Sequence, residues 1–199
     1  MNSKGLIPIL KWSIPVVTAL LLIAIVVDWW ADTSRGELPV LGEIPDFLMT
    51  ERNGQPFGKT EMLGKINIVE LFFTSCPGVC PIMNRNMFEL YQRLDGAEEV
   101  RFVSISVDPK RDSLEALKSY ADSLGVDDDR WVFLQAPIDE IIDVCENGFM
   151  LPADGLPGGH STRFVLIDPL GRIRGYYDGM SEGSMKILLT HLRQIAGER

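Results

Sequence analysis

The apolar positions of the chain fall into three regimes. Over residues 6–30 they are nearly continuous, interrupted by Lys11, Ser13, Thr18 and Asp28, and residues 14–27 carry no charge. Residues 31–44 show no period. From residue 45 onward, short apolar runs alternate with stretches of helical spacing. A helix rising ~1.5 Å per residue needs ~20 residues to cross a bilayer, so the first regime predicts one transmembrane helix, with Lys11 snorkelling and Trp12, Trp29 and Trp30 at the two interfaces. A cleaved signal peptide is the rival reading, but no small-x-small site follows the apolar core. The expected layout is an anchor over 1–32, a linker over 33–44 and one domain over 45–199.

Within that domain, Asn53-Gly54 between short apolar pieces predicts a hairpin over 45–62. INIVELFFTS (66–75) reads as a strand covered on both faces. After Pro81 the apolar residues recur at helical intervals, and Pro81 suits a first helical turn. VRFVSISVD (100–108) is the next strand, then a helix opening at Asp112 with Glu115 three residues on and ending before Gly125. RWVFLQA (130–136) predicts a strand and 137–147 a short helix. Residues 162–168 and 172–178 flank a Pro169-Leu170-Gly171 turn, and 182–196 form a last amphipathic helix. This order predicts an α/β, thioredoxin-like fold with an N-terminal β-hairpin extension and an inserted strand-helix piece, in which functional groups collect at the carboxyl ends of the parallel strands.

Charge narrows the function classes. A formal net charge of -9 without a basic cluster argues against nucleic acid as a partner. An anchor or signal places the domain on the exported side, the periplasmic face of a bacterial inner membrane being favoured over the mitochondrial intermembrane space. Thiols can be oxidised there, yet three cysteines are poor disulfide arithmetic.

Cys76 and Cys80 stand in LFFTSCPGVCP, between a strand and a helix, where free backbone N–H groups favour thiolate. Their spacing allows a disulfide or a shared metal ion. His160 ends a glycine-rich loop two residues before a strand expected to lie beside the first, so it can reach the pair. Two thiolates and an imidazole suit Cu(I), and can hold Cu(II) with an added ligand; structural zinc would want four protein ligands.

In order and spacing FFTSCPGVCP, SISVDPKRDS (104–113) and GHSTRFVLIDPLGRIRGYYDG (159–179) resemble the SCO/SenC family of membrane-anchored copper chaperones, which help assemble the dinuclear copper centre of cytochrome c oxidase. The resemblance spans about residues 40–197. It implies Cys76, Cys80 and His160 as copper ligands, a copper-accepting subunit of cytochrome c oxidase or another cuproenzyme as partner, and a VDP-x-RD motif at Asp108, Pro109, Arg111 and Asp112. Asp108 then either tunes the site or ends a strand. Gly78 departs from the family, which usually carries Asp there.

Other candidates have plainer readings. Cys145, among Ile141, Ile142 and Val144, reads as a buried small side chain, Met83 and Met87 as core, His191 as a helix-end histidine, and Asp127, Asp128 and Asp129 as a solvated turn without EF-hand spacing. The competing function is an enzyme, a thiol-disulfide oxidoreductase cycling Cys76 and Cys80 to reduce acceptor cysteines. A peroxidase fits less well, because the Thr or Ser usual three residues before its cysteine is here Phe73.

Overall fold

The computed structural model describes residues 15, 17–26 and 36–197. The chain divides into two units, Met1–Glu37 and Leu38–Arg199. In the first, residues 17–26 are helical and exposed. Among the described residues no helix is long and apolar enough to cross a membrane, and most of the expected anchor, with its three tryptophans, lies outside them.

The second unit is organised around one eight-stranded sheet. Its centre is β4 (Ile66–Phe72), buried at every position, which is why its sequence runs apolar without alternation. β5 (Val100–Ser106) pairs with it in parallel through the crossover helix α2 (Cys80–Arg93). On the other side β7 (Arg163–Ile167) pairs antiparallel with β4, followed by β8 (Arg172–Asp178). These four strands and α2, with the last helix α5 (Glu182–Gly197), make the thioredoxin-like core. The inserted strand β6 (Trp131–Gln135) extends the sheet in parallel beyond β5. The N-terminal hairpin, β2 (Leu48–Glu51) and β3 (Pro56–Gly58), docks antiparallel onto β6. Its turn is built as the sequence predicts: Gly54 takes φ +85, and the Asn53 side chain accepts from the Gln55 amide at 2.8 Å.

Two expectations change. The end of the supposed linker is part of the sheet, since β1 (Gly42–Glu43) pairs with β8 and the Leu41 amide donates to the Ile173 carbonyl at 2.8 Å. A two-residue bridge leaves no periodic signal. The helix α3 (Leu114–Leu124) is capped by Ser113, whose hydroxyl accepts from the Ala116 amide at 3.3 Å, and not by Asp112. Asp112 is fully buried and serves the site described below. Gly125 closes the helix at φ +75.

The remaining helices are α1 (Lys59–Met62) and α4 (Ile138–Asp143), the latter running on into a π-helical turn, Val144–Gly148, that buries Cys145. Met83 and Met87 are completely buried on the inner face of α2, as the core reading requires. At the β7–β8 hairpin Asp168 accepts from the Leu170 and Arg172 amides and binds the buried Arg174 guanidinium at 2.9 Å.

Candidate metal centre

β4 and β5 end at the same edge of the sheet, and residues 73–79 link β4 to the first turn of α2. Pro81 supplies the preset φ for that turn and lacks the N–H that would have no partner there. Cys80 is therefore the first residue of the helix, buried, whereas Cys76 sits half-exposed in the loop. Both thiols are free.

Their environments are opposite. Burial alone would push the Cys76 thiol up. The Cys80 thiol and the backbone amides of Cys80, Gly78 and Val79 donate to its sulfur and carry it below the ordinary cysteine value. Those amides belong to the helix start, whose N–H groups have no partners within the helix. Cys80 is pushed up to about 12, first by burial and then by Cys76, with the charge of Glu70 adding to it. The sequence expectation that both thiols favour thiolate thus holds for Cys76 and is corrected for Cys80. The correction comes from burial, which a helix N-terminus does not offset.

His160 arrives from the loop before β7, and Phe73 meets its ring edge-to-face at 5.7 Å between centroids. Its Nδ1 lies 3.1 Å from the Ser161 carbonyl, which can only accept, so the proton belongs on Nδ1. Nε2 then presents its lone pair to the Cys80 sulfur at 3.3 Å. Burial holds the imidazole below its ordinary pKa, with the Ser161 carbonyl pulling the other way, so the neutral ligand form is favoured. The sulfurs of Cys76 and Cys80 and the His160 nitrogen all lie within 4.8 Å of one another. A metal ion about 2.0–2.3 Å from each donor fits this set after small side-chain shifts. Two sulfurs and one imidazole are a soft donor set.

Asp112 anchors the loop that carries the pair. Its oxygens accept from the Thr74 hydroxyl at 2.5 Å, the Thr74 amide at 3.1 Å and the Ser106 hydroxyl at 2.5 Å. It thereby ties the end of β5 to the backbone two residues before Cys76. Replacing it with alanine leaves three donors unmatched and is expected to cost about 3 kcal/mol. It should also loosen the cysteine loop, which urea denaturation and thiol-alkylation rates will register together. Asp108, the other acid of that motif, pairs with Arg111 at 3.1 Å.

Behind the thiols lies a group the sequence reading passed over. Glu70, in the middle of β4, is completely buried; one oxygen accepts from the Ser104 hydroxyl at 2.6 Å and the other has no partner. Burial pushes it up to about 8 against the smaller opposing effect of Ser104, so at neutral pH it is predominantly the uncharged acid. The available signal was a single charged residue, a glutamate, inside a mostly apolar strand, six residues before Cys76. A Cβ at Gly78 would meet nothing within 4 Å, so the loop has space for the aspartate usual in the resembling family.

The other candidates are not brought to this site. Cys145 is buried and pushed up to about 12, by burial first and Glu146 second. His191 takes a 2.7 Å hydrogen bond with the Tyr177 hydroxyl, and Asp128 binds the Arg130 side chain and amide.

The SCO1/SenC family profile matches residues 40–196, four-fifths of the chain and all of the site. The chain belongs to the SCO1/SenC family. Among the relatives of this SCO1/SenC protein, the SCO1 protein homolog of Bacillus subtilis is 27% identical over 71% of this chain and 77% of its own length. The crystal structure of a SCO1/SenC family lipoprotein from Bacillus anthracis superposes with a TM-score of 0.73 at 30% identity, covering 79% of this chain and 97% of that one. Bradyrhizobium japonicum ScoI, solved with copper bound, gives 0.62 at 25% identity over 75% and 99%.

Proposed function

We propose that this SCO1/SenC protein binds copper through Cys76, Cys80 and His160 and delivers it to the dinuclear copper centre of cytochrome c oxidase or of a related cuproenzyme. The carrying observation is the convergence of two sulfurs and a tautomer-fixed imidazole within 4.8 Å. Support also comes from the copper held by ScoI, a relative of the same fold, and, for the acceptor, from the family resemblance drawn above. The uncharged run over residues 14–27 supports a membrane anchor, with the domain on the exported face.

A second reading has its own support. A half-exposed thiol held low beside a buried one held high is the pairing of an attacking and a resolving thiol in disulfide exchange. Titrating the anaerobically reduced full chain with Cu(I) against a competing chelator separates the two. One copper per chain, weakened at least tenfold by His160→Ala, supports delivery, since the imidazole is a ligand. Weak binding indifferent to that substitution leaves disulfide exchange in its place.

A further inference from the structure

Beside the histidine loop a groove of about 450 Å³ opens, lined by Leu41, Met150, Pro152, Ser161, Arg163 and Tyr176. Two of its apolar members are about half exposed, Leu41 at 44% and Met150 at 50%. The Met150 backbone lies at φ +52, the only non-glycine residue with a positive φ among those described. A β-unbranched side chain in that region is held there by its surroundings, and such positions cluster at functional sites. The flanks supply the constraint: the Phe149 and Leu151 amides donate to the Val144 and Cys145 carbonyls at 2.8 Å. At Gly42 a Cβ would stand 2.6 Å from the Met150 methyl, so the thioether lies directly over β1 and would have to swing aside for any larger residue there.

The polar members point to what the groove takes. Arg163 is exposed and has no carboxyl oxygen within 4 Å among the described residues, although Asp178 faces it across the β7–β8 ladder. In a chain of net charge -9 such a cation attracts an anionic partner group against the general field. The Tyr176 hydroxyl is buried without a hydrogen-bond partner. Ser161, which forms part of the wall, is the residue whose carbonyl orients His160. The groove thus borders the residue that follows His160 and fixes its ring.

Resting on the delivery reading, we propose that this groove is where the copper-accepting protein docks, through an apolar segment bearing a carboxylate that pairs with Arg163. Docking here sets the acceptor against Ser161, the residue next to His160, while the half-exposed Cys76 stays open for ligand exchange.

The test uses the metal-free, reduced full chain and the apo soluble domain that carries the dinuclear copper centre of cytochrome c oxidase. Amide hydrogen exchange is expected to slow on mixing at residues 40–42, 150–151 and 161–163. Arg163→Glu should weaken association at least tenfold, and raising ionic strength should weaken the wild type more than Arg163→Gln. Met150→Ser should weaken it independently of salt. Protection elsewhere, no protection at all, or full binding by both Arg163→Glu and Met150→Ser overturns the proposal. The delivery reading is judged separately by copper stoichiometry of the wild type, to which none of these side chains contributes a ligand.

Discussion

Cys80→Ser is expected to remove tight copper binding while leaving the domain folded. The sulfur is buried in the first turn of α2 and lies 3.3 Å from the imidazole nitrogen, so it is the donor that joins the helix to the histidine loop. A hydroxyl is a hard, protonated group that a soft monovalent ion ignores. The loss should exceed the ~10–100-fold that follows removal of an outer partner and reach on the order of a thousandfold. Stability should change by about 1 kcal/mol or less, because serine is nearly isosteric and can donate to the same nitrogen. Competition titration and urea denaturation on the same sample make the comparison. A folded variant that keeps wild-type affinity would remove Cys80 from the ligand set. The high position of this thiol adds a pH signature: binding must displace its proton, so affinity should rise with pH through the neutral range.

Glu70→Gln is expected to flatten the dependence of stability on pH. The folded carboxyl sits at about 8, above its unfolded value of 4.5, so the native state binds the extra proton between those limits. Stability from this group is complete below about 4.5 and is lost as pH rises through 8. His160 is shifted downward and acts with the opposite sign, but only below its ordinary value of 6.5. Between pH 6.5 and 8 Glu70 therefore acts alone among the two, and the wild type should lose about 2 kcal/mol there. Glutamine keeps an oxygen for the Ser104 hydroxyl and has no proton to lose, so its profile should lack that loss over the window. Denaturant midpoints at the two pH values measure this, and equal slopes for both proteins would show that Glu70 is not a neutral acid in the native state. The consequence for the site is electrostatic: Glu70 is uncharged at neutral pH and adds its like charge beside Cys80 only above about pH 8.

Periodicity carried most of the fold. The near-continuous apolar run of β4, the Asn53-Gly54 turn and the Pro169–Gly171 turn each have a local physical cause, and each is found where the sequence puts it. β1 escaped because its two residues are held by hydrogen bonds to β8, a long-range pairing that leaves no pattern at positions 42–43. At the site, residue type and order were enough to nominate Cys76, Cys80 and His160, which the fold then brings together. What surrounds them was not legible. Asp112 looks like a helix cap in sequence and is a buried acceptor for Thr74 and Ser106 in the fold, a distinction that depends on which way one side chain turns. Glu70 looked like a blemish in a strand, since only burial and the lack of a cation turn it into a neutral acid. The asymmetry between the two thiols likewise arises from depth, which spacing does not encode.

The central claim is the donor set, and X-ray absorption at the copper edge of the Cu(I)-loaded full chain tests it most directly. Two sulfur scatterers and one imidazole nitrogen are expected, the nitrogen disappearing in His160→Ala and one sulfur in Cys76→Ser. A first shell of nitrogen and oxygen alone, or a sulfur pair unaltered by either substitution, would contradict the account.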